Sequence, residues 1–133
     1  MKIIHVDDSR YAREEMQEQI PQIVPEAELH CFDRPDSALA SAEAQGCDVL
    51  LTEIELWADR NGGIRLARAM REIVPGVRII FVTVCSENEV AGELSELPVV
   101  GFYPKPWDSS QLAEAFNSLR YTEGEKRWNN IAI

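Results

Sequence analysis

The chain has little of what marks membrane, secreted or disulfide-bonded proteins. No apolar run approaches the roughly 20 residues of a membrane span. The polar segment after residues 1–5 is unlike the apolar core of a signal peptide. The only three cysteines, Cys31, Cys47 and Cys85, lack CxxC spacing, so we interpret them as reduced thiols in or beside the core. These absences predict a cytoplasmic protein with no membrane partner.

Basic residues are also scarce. Thirteen Lys and Arg stand against 23 Asp and Glu, which gives a net charge of −10. This charge repels phosphate backbones and argues against direct nucleic-acid binding by these residues. Most of the carboxylates are expected to lie on a solvated surface, although a group gathered at one place could hold a hard cation. The length of 133 residues, with 45% hydrophobic residues, suits one domain with a single core.

Short apolar segments alternate with segments of helical periodicity along the whole chain. We predict five strands, each followed by a helix, and this alternation is typical of a parallel sheet covered by helices on both faces. The predicted fold is therefore α/β and flavodoxin-like, with strand order 2-1-3-4-5 as the commonest arrangement. The predicted strands are residues 2–6, 27–32, 48–52, 77–84 and 99–103.

Prolines and capping residues predict where several helices begin and end. Pro21 is expected to end or kink the first helix. Asp33 or Asp36 is expected to cap the second helix, and Asp108 or Ser109 the last one.

Polar residues follow four of the predicted strands. Asp7 and Asp8 follow the first, Glu53 the third, Thr83 closes the fourth and Lys105 follows the fifth. The carboxyl ends of parallel strands share one edge of the sheet, so these side chains should converge. Two carboxylates about 4 Å apart repel by roughly 4 kcal/mol at an effective dielectric near 20, which calls for a counter-charge.

Mg²⁺ suits such a carboxylate cluster, because it prefers oxygen ligands, and Lys105 would be a second cation. A simpler interpretation stays open for each residue. Asp7 and Asp8 could merely cap the first helix, and Lys105 could be a surface lysine before a proline.

Together these motifs resemble the receiver domains of two-component response regulators, over residues 1–120. The motifs are Asp7-Asp8, the strand end Leu-Leu-Thr-Glu-Ile-Glu-Leu, the Phe-Val-Thr segment that ends at Thr83, and Lys105-Pro106. The resemblance implies a CheY-like fold and a role in phosphorelay signal transduction as a phosphoprotein, with no enzyme activity of its own. It also implies that position 53 is the phosphoacceptor.

The resemblance further implies a role for each remaining site residue. Asp7, Asp8, Glu53 and the backbone carbonyl of Glu55 would bind Mg²⁺. Thr83 and Lys105 would contact the phosphoryl group, and Thr83 would switch together with Phe102, for which an ordinary strand aromatic is an equal alternative.

The expected partners also come from the resemblance. They are a sensor histidine kinase or a small phosphodonor, and a second copy of the chain docked through the fourth helix, fifth strand and fifth helix. Residues 121–133 would be a linker or the start of a truncated effector domain, with a possible new strand at the end. The parent protein would then regulate transcription through a C-terminal effector.

The chain departs from the family at its centre, because the family accepts phosphate on aspartate and this chain has Glu53. The extra methylene displaces the carboxylate by about 1.5 Å, and such a displacement can cost about a hundredfold or more in an in-line reaction. Glu53 could instead imitate the phosphorylated state in part. Val84 is also expected to narrow access to the pocket, and Trp57 replaces a common proline.

Two alternatives follow from this departure. The first is a pseudo-receiver that never accepts phosphate and acts as a dimerisation or docking module. The second is a phosphohydrolase with a strand-end carboxylate as nucleophile. The second is disfavoured, because Asp7-Asp8 lacks the aspartate pair spaced by one residue of the haloacid-dehalogenase-like group.

Overall fold

The computed structural model describes the backbone of residues 1–131 and the side chains of residues 1–120. Five parallel strands form one sheet in the order β2-β1-β3-β4-β5, which confirms the predicted flavodoxin-like fold. The strands are β1 (Lys2–Val6), β2 (Glu28–Phe32), β3 (Val49–Thr52), β4 (Arg78–Thr83) and β5 (Val99–Pro104). The helices are α1 (Arg10–Ile23), α2 (Pro35–Gln45), α3 (Gly62–Ile73), α4 (Glu87–Leu94) and α5 (Ser109–Ile131).

The sheet separates two apolar layers. Leu50 of β3 packs with residues of α2 and α3, whereas Val49 and Leu51, which point the other way, pack with residues of α1 and α5. All four residues of β3 are buried, as the continuous apolar run predicts for a central strand covered on both faces. Glu53 therefore directly follows a strand that runs through the middle of the core.

Two helix boundaries differ from the predictions. Pro21 does not end α1, which continues to Ile23 before Val24 donates a backbone hydrogen bond to Ile20. Neither Asp33 nor Asp36 caps α2, because Arg34 is the N-cap residue and makes no side-chain capping hydrogen bond. Pro35 is the first helical residue instead, and its fixed φ favours a helix start without a side-chain cap.

The last helix is longer than the sequence predicts. It begins where Asp108 accepts a hydrogen bond from the Ser110 backbone N–H at 2.9 Å, which confirms the predicted cap. It then continues to Ile131 through residues interpreted as a linker, a segment that contains no proline. The prediction of a new strand at the end of the chain is wrong for the residues up to Ile131, which are helical. Residues 132–133 lie outside the described chain. Among the described residues no helix has the length and apolarity needed to cross a membrane.

Candidate functional site

Three neighbouring strands deliver polar side chains to one edge of the sheet. Asp7 follows β1, Glu53 follows β3 and Thr83 is the last residue of β4, and these strands are adjacent in the order β1-β3-β4. Asp7 is 1% exposed, Glu53 3% and Thr83 fully buried. Burial of polar side chains is costly unless each is hydrogen-bonded or paired with a charge. Their partners therefore define the site.

The ammonium of Lys105 is the counter-charge for both carboxylates. Its Nζ lies 2.7 Å from Asp7 Oδ2 and 2.9 Å from Glu53 Oε2. The backbone N–H of Lys105 donates to the carbonyl of Thr83 at 2.9 Å, which holds the start of the loop beside β4. The predicted convergence of Asp7, Glu53, Thr83 and Lys105 is thus present, and Lys105 is not an isolated surface lysine.

Electrostatics reinforce this arrangement. Burial raises the pKa of Asp7 above its ordinary value, although the hydrogen bond from Lys105 opposes the shift. Burial alone would lower the pKa of Lys105, but hydrogen bonds to Asp7 and Glu53 outweigh it and raise that pKa. Lys105 therefore stays protonated at neutral pH and binds both acidic residues as a cation.

The carboxylate of Glu53 is enclosed by hydrogen-bond donors. Oε1 accepts from the backbone N–H of Ile54 at 2.8 Å and of Glu55 at 3.3 Å, and also from the hydroxyl of Thr83. Oε2 is the atom that contacts Lys105. Both carboxylate oxygens of Glu53 are therefore engaged by donors, and these contacts fix the position of the side chain.

Asp8 contacts the loop after β3 and forms no ion pair with Lys105. Its Oδ2 accepts a hydrogen bond from the backbone N–H of Trp57 at 2.9 Å, while the indole Nε1 of Trp57 donates to the carbonyl of Asp33 at 2.8 Å. Asp7, for its part, accepts from the Ser9 backbone N–H at 2.9 Å through Oδ1. Asp8 thus binds the loop after β3, and Asp7 contributes to the turn before α1.

The predicted Mg²⁺ ligands do not form a ligand set in this arrangement. Oxygens of Asp7 and Glu53 bind Lys105, and Asp8 binds a backbone N–H. Within the described side chains, no group of three or more His, Cys, Asp or Glu residues could hold a metal ion. Glu55, whose backbone carbonyl completed the predicted set, contacts the site through its backbone N–H, which donates to Glu53 Oε1 at 3.3 Å. The donor set as arranged does not fit the ion, and Mg²⁺ stays a prediction.

Phe102 and Val84 occupy the remaining predicted positions. Phe102 is half-buried in the layer on the α2–α3 side, with its ring centroid 6.0 Å from that of Phe81. This contact is what an ordinary strand aromatic makes, so its switching role stays a prediction. Val84 is 65% exposed and lies at the rim of a cavity of about 490 Å³ that Glu55 and Glu89 also line.

Three further residues shape the site and were missed by sequence reasoning. Arg13 on α1 donates to the carbonyl of Asp7 at 2.8 Å. His5 on β1 is buried, and burial together with the charges of Lys105 and Arg13 lowers its pKa to about 3. A Cβ at Gly63 would lie 2.0 Å from the carbonyl oxygen of Glu53, so only glycine allows α3 to begin this close to β3. The glycine pair 62–63 was the one available signal.

Comparison with known proteins decides the family. The family model for the response regulator receiver domain matches residues 3–117. The chain belongs to this family. The receiver domain is 29% identical over 121 residues to the cyclic di-GMP phosphodiesterase response regulator RpfG of Xanthomonas campestris, covering 90% of this chain and 32% of that protein. It is 25% identical over 133 residues to the transcriptional regulatory protein LytR of Staphylococcus aureus, covering 100% of this chain and 52% of LytR.

A solved structure supports the same fold. The chemotaxis protein CheY4 of Vibrio cholerae superimposes with a TM-score of 0.76 at 20% identity, over 88% of this chain and 96% of that one. The receiver domain spans between a third and about half of the length of the curated relatives it matches. It is a CheY-like receiver domain of the two-component response regulators.

Proposed function

We propose that this receiver domain signals without accepting a phosphoryl group, because the Glu53 carboxylate holds the contacts that a phosphoryl group would make. The observation that carries the proposal is that the Thr83 hydroxyl and the Lys105 ammonium both bind Glu53. These are the two residues that the family uses to contact the phosphoryl group. The Glu53 side chain then holds the domain permanently in one state, in place of a phosphoryl group.

Charge balance supports this proposal. A carboxylate brings one negative charge where a phosphoryl group brings nearly two, and the single ammonium of Lys105 lies within 2.9 Å of both Asp7 and Glu53. Lys105 supplies the cation that these two buried carboxylates require. The proposed state therefore needs neither Mg²⁺ nor a phosphodonor, and a histidine kinase would act on it by docking alone.

We propose that output passes through the surface formed by α4, β5 and α5 to a C-terminal effector that regulates transcription. Thr83 lies at the end of β4, directly before the segment that leads into α4, and Val100 of β5 is an exposed apolar side chain on this surface. The similarity to LytR, a transcriptional regulator of about twice this length, supports such an effector. Homodimerisation through the same surface is part of the proposal.

The acceptor hypothesis is tested by phosphorylation of matched variants. Wild-type, Glu53→Asp and Glu55→Asp proteins are incubated with acetyl phosphate and MgCl2, and their intact masses are measured. We expect a phosphoryl adduct only on the Glu53→Asp protein. Glu55→Asp is the matched control, because its side chain is exposed two residues away. An adduct on wild-type Glu53 would overturn the proposal, and failure of Glu53→Asp to react would show that Glu53 is not what prevents phosphorylation.

The signalling state is tested by association. We expect the Glu53→Gln protein, which keeps the side-chain length but loses the charge, to dimerise more weakly than the wild type in size-exclusion chromatography with light scattering. Equal association of the two proteins would show that the charge at position 53 does not control dimerisation.

A further inference from the structure

A second cavity lies outside the acidic site, in the cleft between α2 and α3. It has a volume of about 830 Å³, which falls within the range of roughly 300–1,000 Å³ that is typical of small-molecule sites. Its apolar lining includes Leu39, Leu56 and Leu66, and its polar rim contains arginines and one exposed tryptophan. Nothing in the function proposed above uses this cleft.

The rim of the cleft is positively charged, although the chain as a whole carries −10. Arg34, Arg60 and Arg65 line it against the single carboxylate of Asp59, which pairs with Arg65. Among the described side chains, Arg34 and Arg60 form no ion pair or hydrogen bond, and both are exposed. Both of these arginines line the cleft and therefore keep donors that no described side chain uses, and guanidinium groups bind phosphate and carboxylate oxygens in pairs. Arg60 also lines the neighbouring cavity, together with Glu55 and Glu89.

The same cleft receives the N-terminal ends of two helices. Pro35 begins α2 and Gly62 begins α3, and both residues line the cavity. Neither helix has a side-chain capping hydrogen bond at its N-cap residue, Arg34 or Asn61. Uncapped helix N-termini add partial positive charge to the field of the arginines.

Trp57 gives the cleft a flat aromatic surface. It is 52% exposed, and its φ of 54° is a left-handed conformation that a bulky residue rarely adopts. Hydrogen bonds from its backbone N–H to Asp8 and from its indole to Asp33 hold it there, and the guanidinium of Arg34 lies 4.8 Å from the ring centroid. Arg34 therefore covers part of the indole, and the exposed remainder of this strained and firmly positioned ring is suited to stack on a planar ligand.

We propose that the cleft between α2 and α3 binds a small anion that carries a planar aromatic ring, of the nucleoside monophosphate class. Trp57 stacks on the ring, Arg34 and Arg60 bind the phosphate, and the apolar lining covers the rest of the ligand. Because Trp57 also donates to Asp8, the ligand contacts a loop that is joined to the acidic site. The inference does not rest on the state of Glu53.

The test is isothermal titration calorimetry of the whole chain with adenosine 5′-monophosphate, and separately with adenosine and with inorganic phosphate. We expect saturable binding of the monophosphate, and affinity lower by about tenfold or more for the Arg60→Ala and Trp57→Leu proteins, which is what loss of a phosphate contact or of one stacked base costs. Arg60→Ala removes no ion pair or side-chain hydrogen bond among the described residues, so its fold should be unaffected. The Trp57→Leu protein is checked by its unfolding midpoint.

Arg10→Ala is the matched control, because Arg10 is exposed on α1 and pairs with Glu14 outside the cleft. It should leave affinity unchanged. Absence of saturable heat at millimolar monophosphate would overturn the proposal, and so would phosphate alone binding as tightly as the nucleotide, since the ring would then contribute nothing. Equal weakening by Arg10→Ala and Arg60→Ala would also overturn it, because the binding would be non-specific charge attraction.

Discussion

The hydroxyl of Thr83 donates a hydrogen bond to Oε1 of Glu53, across 30 positions of the chain and in the buried interior. This contact ties the end of β4 to the residue after β3. Thr83 also accepts from the backbone N–H of Cys85 at 3.1 Å, so its hydroxyl connects Glu53 to the segment that leads into α4. A bond of this kind, shielded from water, is a direct physical link between position 53 and the proposed output surface.

Removal of this hydroxyl should destabilise the fold. We expect Thr83→Val, which keeps the side-chain shape, to lower the free energy of unfolding by about 1.5–3 kcal/mol, as is typical of a hydrogen bond to a charged group. Thr83→Ser keeps the hydroxyl and should lose less, about 1 kcal/mol for one buried methyl group. Urea denaturation at pH 7 measures both. A Thr83→Val protein as stable as the wild type would show that the hydroxyl contributes no stability.

Lys105 should be the most sensitive residue of the acidic site. Its side chain is 19% exposed and contacts two buried carboxylates, so Lys105→Met leaves Asp7 and Glu53 without a counter-charge. We expect a loss of about 3 kcal/mol in the free energy of unfolding, at the lower end of what breaking a buried ion pair costs. The loss should be larger at pH 8 than at pH 5, since protonation of Asp7, whose pKa is raised by burial, relieves the repulsion at low pH.

The exposed pair Arg10–Glu14 provides the control for this prediction. Its side chains are 84% and 60% exposed, and solvent-exposed pairs contribute little. Arg10→Met should therefore change stability much less than Lys105→Met, and with little dependence on pH between 5 and 8. A loss of similar size in both variants would mean that the burial of the Lys105 pair has no special effect.

The sequence predicts the convergence of the site better than its internal contacts. Asp7, Glu53, Thr83 and Lys105 were expected together because parallel strands end at one edge of a sheet, a rule that depends only on the order of elements. The hydrogen bond that Asp8 accepts from the Trp57 backbone N–H was not predictable, because Trp57 has a left-handed backbone conformation. A local pattern carries no signal for such a contact between two loops.

Local sequence rules also failed at two helix ends. Pro21 was expected to end or kink α1, and the helix does not end there but continues to Ile23, whose side chain packs against the core. At α2, the acidic residues on either side suggested a cap, but Pro35 begins the helix by its fixed φ. In both cases tertiary packing or backbone geometry outweighed the propensity of a single residue.

Gly63 should tolerate no side chain. A Cβ there would lie 2.0 Å from the carbonyl oxygen of Glu53 and 2.8 Å from Ile54 Cα, and both are backbone atoms that cannot rotate away. Gly63→Ala must therefore shift the start of α3 or the residue after β3. We expect a loss of stability of more than about 3 kcal/mol, beyond the range of ordinary overpacking, measured by thermal or urea unfolding.

Gly92 gives the matched control, since it lies inside α4 and a Cβ there would meet nothing within 4 Å. Gly92→Ala should stabilise the protein by about 0.5–1 kcal/mol, the difference in helix propensity. If Gly63→Ala costs no more stability than Gly92→Ala, the close approach at Gly63 is not a constraint on the fold.

Cys47 should be unreactive in the native protein. The thiol is 4% exposed, and burial, with the nearby Asp48 carboxylate adding to the effect, raises its pKa to about 12 from an ordinary value of 9.0. The native thiol therefore stays protonated at pH 8, and the stability that it contributes is complete below pH 9 and is lost as the pH rises from about 9 to about 12. Iodoacetamide at pH 8 should modify half-buried Cys85 in the native protein and Cys47 only in urea, as peptide mass mapping would show. Modification of native Cys47 as fast as Cys85 would mean that the segment before β3 opens often. It would then open despite the hydrogen bonds of Cys47 to the Val49 carbonyl and of Asp48 to the Lys2 carbonyl.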